Sequence, residues 1–157
     1  MQPCIPYGWQ FKDEDVFMPA SKGKGLNLFA LLSRDNKLHF SSTTNNINSD
    51  FVIQELETLA SSIQKPTVVV LDNAKTHKSA KFRERLEAWE ARGLSIFYLP
   101  PYSPHLNLIE TLWRKLKYEW LDAKDYTEED TLFYAVTQIL LAFGHSLAIN
   151  FSDFSVT

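Results

Sequence analysis

Apolar and polar positions follow two rhythms along this chain, and the elements show where one gives way to the other. "LNLFALLS" (residues 26–33), a turn at "RDN" and "KLHFSST" (residues 37–43) read as two strands of an antiparallel hairpin, the second alternating apolar and polar residues. From residue 48 to about 64 the period lengthens. Phe51, Leu56, Leu59 and Ile63 fall near helical spacing, with Asn48 or Ser49 available as the N-cap. "TVVVL" (residues 67–71) has no polar interval and is rich in β-branched residues, which predicts a strand buried on both faces of a parallel sheet. Asp72 stands at its carboxyl end.

A second helix over 79–91 places Phe82, Leu86 and Trp89 on one side and stops at Gly93. "LSIFYL" (residues 94–99) reads as another buried strand, ended by two prolines. The third helix, about 108–121, aligns Ile109, Leu112, Leu116 and Trp120. A fourth is expected after a capping box at "TEED" (residues 127–130), with a stripe of Leu132, Val136, Ile139, Leu140 and Phe143. The order strand, strand, helix, strand, helix, strand, helix, helix predicts an α/β sandwich with helices covering a mixed sheet. In such sheets ligands bind beyond the strand carboxyl ends, and Asp72 and Glu110 both follow such ends.

Composition agrees with one folded unit. The 157 residues are 45% hydrophobic and 13% aromatic, enough for a continuous core, and no repeat, low-complexity tract or Gly/Ser linker divides them, so residues 1–157 read as one domain. The single cysteine, Cys4, excludes an internal disulfide framework and a Cys-rich zinc site, making a reducing cytoplasm the default location. No apolar run is long enough to span a bilayer, and "MQPCIPYGWQ" lacks the basic start and apolar block of a signal peptide, so no membrane association is expected. A net charge of −3 argues against a wholly basic nucleic-acid binder. Local basic runs remain, at "KTHKSAKFRER" (residues 75–85) and "RKLK" (residues 114–117), against an acidic stretch at 122–130.

The chemistry concentrates in "LDNAKTHKS" and "LPPYSPHLNLIE". Asp72 reads either as a cap for the following helix or as a carboxylate held at a rigid strand end. Beside it, Asn73 and His77 have the chemistry to hydrogen-bond a metal-bound water or a phosphate, although His77 reads equally as a surface residue. Glu110 has a structural alternative too, because Asn107 to Glu110 has capping-box spacing. Pro100, Pro101 and Pro104 favour a functional role, since they restrict the backbone and set where the helix starts.

Two carboxylates brought together repel unless neutralised, and a pair of divalent cations is a common solution. Oxygen ligands favour Mg2+ or Mn2+ over zinc. Such a pair activates a water or a 3'-hydroxyl for in-line attack on a phosphodiester. On the third helix Glu110, Trp113, Arg114 and Lys117 recur at three- and four-residue intervals, so one face can carry a carboxylate, an aromatic plane and two cations suited to a phosphate backbone. The alternatives are a partly buried Trp113 and a solvated basic face.

"VVVLDNAKTHKS" followed by "LPPYSPHLNLIETLWRKLK" resembles the transposases of the mariner superfamily, in particular the bacterial insertion-sequence branch with a DDE catalytic domain. The resemblance runs from "PYGWQ" (residues 6–10) to "INF" (residues 149–151). It implies a ribonuclease H-like fold and magnesium-dependent cutting and joining of DNA at transposon ends. By it Asp72 matches the family's second catalytic aspartate and Glu110 its catalytic glutamate, both as metal ligands. Lys75, His77, Lys78, Arg114 and Lys117 are then candidate DNA contacts, with Asn73, Asn107 and Trp113 in support.

The family's first aspartate lies on a central strand upstream of a hairpin that Gly8 and Trp9 match, and a helix-turn-helix region precedes that. Both fall before this chain, which is therefore expected to be the carboxyl-terminal part of a transposase. Asp13, Glu14 and Asp15 lie beyond the hairpin position and are poor substitutes. Loss of a central strand is expected to bare backbone groups and apolar faces, leaving the chain marginal alone or associated, as a homodimer or with an upstream transposase segment. The alternative is a non-catalytic remnant that binds DNA or full-length transposase.

Overall fold

The computed structural model describes residues 25–151; Cys4, Gly8, Trp9 and Asp13, Glu14 and Asp15 lie outside the described residues. The hairpin forms as the alternation predicts. Strands β1 (Asn27–Leu32) and β2 (Leu38–Thr43) pair antiparallel, with Ala30 opposite Phe40 and Leu32 opposite Leu38. Asn36 turns the chain at φ 58°, and its side chain accepts from Ile149 N–H at 2.8 Å and donates to Ile149 O at 3.2 Å. The tight turn therefore also anchors the chain's far end.

Helix α1 (Ser49–Ser62) starts where Asn48 Oδ1 accepts the Phe51 N–H at 2.9 Å. Asn48 is thus the cap, and Ser49 instead donates to Thr76 O at 2.9 Å. Strands β3 (Thr67–Leu71) and β4 (Leu94–Tyr98) form a parallel pair, with Val70 beside Phe97. Between them the expected helix divides into α2 (Ala80–Arg83) and α3 (Leu86–Glu90). The break brings the fully buried rings of Phe82 and Trp89 edge to face, 5.1 Å apart. Gly93, at φ 86°, makes the left-handed stop before β4.

Helix α4 (Leu108–Lys115) runs into a π-helical turn, Leu116–Trp120, rather than continuing as one α-helix. The Leu121 N–H reaches back to Leu116 O at 3.1 Å, and the wider turn lets Leu116 and Leu121 both enter the core. Helix α5 (Glu129–Ala142) follows, but the expected Thr127 cap is absent. The Thr127 hydroxyl donates to Lys124 O at 2.8 Å, closing the preceding turn instead.

Two clusters form the interior. One packs Phe29 of β1 and Val69 and Leu71 of β3 against Val52 and Leu56 of α1, together with Phe82, Trp89 and Leu94. The other packs Leu28 and Leu32 of β1 and Leu38 and Phe40 of β2 against Leu112, Leu116, Val136 and Leu140. The hairpin is thus sandwiched between α1 and the α4–α5 layer. The β3–β4 pair is covered on one face only. Val68 (63% exposed), Val70 (44%) and Phe97 (56%) lie on the other, so these strands are not buried on both faces as their composition predicts. Nothing among the described residues packs there. The expected α/β architecture is present, with its mixed strands arranged as two separate ladders among the described residues.

Candidate functional site

Asp72 leaves the end of β3 and immediately forms a local turn. Its Oδ1 accepts the Ala74 N–H at 3.0 Å, the two-residue reach typical of an Asp side chain after a strand. The single 3₁₀ turn Lys75–Lys78 then brings His77 back, with Nδ1 2.9 Å from the same Oδ1. Oδ2 has no partner among the described residues. One oxygen is therefore used to orient the carboxylate, and the other is unpartnered among the described residues.

His77 is itself held. Its side chain is 15% exposed and lies against the Phe82 ring, with centroids 6.2 Å apart. The Tyr98 hydroxyl donates to His77 O at 2.7 Å, and burial pushes the Tyr98 pKa up despite the opposing charge of Arg83. Asn73 donates to Leu99 O at 2.6 Å, so the end of β4 braces the loop that follows β3. Lys78 places its ammonium 5.5 Å from the Tyr98 ring centre. Lys75 is exposed and makes no ion pair among the described residues.

Glu110 occupies the first turn of α4, which Asn107 caps. The capping box suggested by the spacing does not close. Asn107 Oδ1 accepts from Ile109 N–H at 3.4 Å, and the Asn107 N–H donates to Pro104 O at 2.9 Å rather than to Glu110. The Glu110 carboxylate is exposed, without a hydrogen-bond or ion-pair partner among the described residues. Further along, Arg114 is exposed and Lys117 half-buried, again without ion pairs among the described residues. Trp113 packs against the hairpin-side core, which is the structural alternative raised for it. The π-helical turn starts before Lys117, so the regular spacing that aligned it with Glu110 ends there.

A cavity of about 150 Å³ adjoins Asp72, lined by Asp72 and Asn73 on one side and by Leu99, Pro100 and residues 102–104 on the other. Glu110 is not among its lining residues. No group of three or more His, Cys, Asp or Glu side chains fit to hold a metal occurs among the described residues. The Asp72 and Glu110 carboxylates each have oxygen unpartnered among the described residues, and carboxylate oxygens are donors of the kind Mg2+ takes, one or two per ion, with water and phosphate oxygens completing its shell.

The structure thus unites Asp72, Asn73, His77 and Lys78 in one braced loop. Sequence reasoning missed Tyr98 and Tyr102 at this site. Tyr98 carried a signal, being a polar-tipped residue at the end of an apolar strand. No helix among the described residues is long and apolar enough to cross a membrane.

Residues 1–133 match the family described as DDE superfamily endonuclease. No curated protein matches the chain. The chain belongs to the DDE superfamily endonucleases, and its α/β architecture is that of a ribonuclease H-like, transposase-type nuclease domain.

Proposed function

From that family membership we propose that the chain is the catalytic domain of a bacterial insertion-sequence transposase of the mariner superfamily, cutting and joining DNA at transposon ends. The observation that carries the reading is Asp72: a carboxylate at a parallel strand end beside a cavity, with one oxygen fixed by Ala74 and His77 and the other unpartnered among the described residues. In this reading Asp72 and Glu110 hold Mg2+ or Mn2+, as a pair of ions once the remaining ligands are supplied. The bound cations would activate a water or 3'-hydroxyl and stabilise the leaving oxygen.

The chain's own groups do the rest. His77 and the Ala74 N–H fix the rotamer of Asp72. Asn73 and Tyr98 tie that loop to β4. Lys75, Lys78, Arg114 and Lys117 bind the DNA backbone as cations, setting register and orientation without reading sequence. His77 serves the DNA indirectly, through Asp72, because its ring is turned inward. The protein acts in the cytoplasm on terminal repeats and target DNA.

Sequencing the DNA around the coding frame identifies the terminal repeats for a labelled donor duplex. With Mg2+, the full-length product of that locus is expected to nick the donor at the repeat and join it to target DNA. Asp72→Asn and Glu110→Gln are expected to bind the donor and lower cutting by about a thousandfold or more. Retained metal-dependent cutting in either folded variant would sink the assignment.

A second reading, a non-catalytic partner of DNA or of full-length transposase, is favoured by the bare face of Val68, Val70 and Phe97. It predicts DNA binding without turnover, and an assembly larger than a monomer by sedimentation. A monomer that cuts DNA would exclude it.

A further inference from the structure

Tyr102 has a backbone conformation that tyrosine seldom adopts, at φ 58°, and its side chain is completely exposed. A left-handed backbone is costly for any residue with a Cβ and is ordinarily left to glycine or asparagine. Tyr102 recovers little of that cost through packing, because the residue is fully exposed. Pro100, Pro101 and Pro104 flank it, and Ser103 Oγ donates to Pro101 O at 3.3 Å, so the loop holds the ring out with little backbone freedom. The same residue lines the cavity that adjoins Asp72. A strained, rigid loop therefore presents a bare aromatic plane next to the carboxylate assigned to the chemistry.

We propose that Tyr102 is a stacking platform for the nucleobase adjoining the phosphate that Asp72 serves, a substrate-binding residue that holds that nucleotide at the site. The inference rests on the nuclease reading above. The face of the ring offers no donor to a phosphate, and the hydroxyl, which does, is tested by Tyr102→Phe. That face complements the face of a base, and base–aromatic stacking tolerates sequence because every base has such a face.

The test uses the full-length product and a terminal-repeat duplex carrying 2-aminopurine at the base flanking the cut. Binding is followed by fluorescence across a salt titration, and cutting is measured in Mg2+. Wild type and Tyr102→Phe are expected to quench the probe equally. Tyr102→Gly, which relieves the backbone strain, is expected to melt no lower than wild type, lose the quench and bind about tenfold more weakly. Its slope of log affinity against log salt is expected to stay unchanged, because no phosphate contact is removed.

Wild-type affinity and quench in Tyr102→Gly would overturn the proposal while leaving the nuclease reading intact. A shallower salt slope would overturn it in favour of a phosphate contact, and a lowered melting temperature in favour of a purely structural role. Failure of the wild type itself to bind or cut the repeat would overturn both readings.

Discussion

The two ladders are built from similar apolar residues, yet the rest of the chain treats them differently. The β1–β2 hairpin sends alternate side chains into two cores, with Phe29 and Leu31 toward α1 and Leu28 and Leu32 toward α4 and α5. The β3–β4 pair sends Val69, Leu71, Leu94 and Ile96 into one core and leaves Val68, Val70 and Phe97 bare. The first ladder is scaffold. The second is secured from one side, and it carries Asp72 beyond its carboxyl end, where the loops from β3 and β4 brace each other through Asn73, Tyr98 and Leu99. One-sided burial is enough to hold a strand end in place while leaving its surroundings accessible to a polymer as large as DNA.

Core truncation should break the contrast most visibly. Leu112→Ala, fully buried beneath the hairpin, is expected to cost about 3 kcal/mol of stability in urea unfolding. The same experiment on Glu57 probes the layer under both ladders. Glu57 bridges α1 to α3 by accepting from Trp89 Nε1 at 3.0 Å and Arg85 Nε at 2.8 Å and by pairing with Arg92. Glu57→Gln is expected to cost about 2 kcal/mol at neutral pH, since it weakens several charge-assisted bonds at a partly buried site.

That cost also has a pH signature. Burial pushes the Glu57 pKa up, but hydrogen bonds from Arg92, Arg85 and Trp89 outweigh it and hold the carboxyl below its ordinary value of 4.5. A carboxyl whose pKa is lower in the folded state stabilises fully above its unfolded value and loses that contribution as pH falls through the folded one. The stability gap between wild type and Glu57→Gln should therefore close below about pH 4.5, as read by urea unfolding across acid pH. A gap that persists there would place the effect in packing rather than charge.

Smaller effects separate the site from its scaffold. His77→Asn removes the ring that orients Asp72 and is expected to slow cutting by about tenfold to a hundredfold, by analogy with residues that orient metal-binding carboxylates. Its melting temperature should move little if the role is positional. Least affected should be Val70→Thr, on the bare face, with a change within about 0.5 kcal/mol. A cost near that of Leu112→Ala, together with a shift in sedimentation, would mean that the bare face is covered in solution by a second chain.

Much of this was legible locally. The span of "TVVVL", the hairpin around "RDN", a cap at Asn48 or Ser49 and the stop at Gly93 each depend on a handful of neighbouring residues, so they could be read before any fold was known. Asp72 was legible for the same reason, as the polar residue that ends an apolar strand. The exposure of Val68 and Val70 was not, because a β-branched run records that a strand is present without recording what lies over each face. Thr127 failed as a cap because its backbone is helical, at φ −67° and ψ −38°, where it ends the preceding turn, and the capping-box pattern carries no information about that turn.

By itself, then, the sequence determined the strands, the order of the main elements and the DDE superfamily, since all of these follow from residue types at short spacing. Tertiary structure decided the rest. It turned His77 inward onto Asp72, broke the Lys117 register with a π-helical turn, withheld the Glu110 side chain from its cap and stood Tyr102 in the open. Each of those outcomes depends on backbone geometry and surrounding packing, and spacing along a chain does not specify distances between side chains.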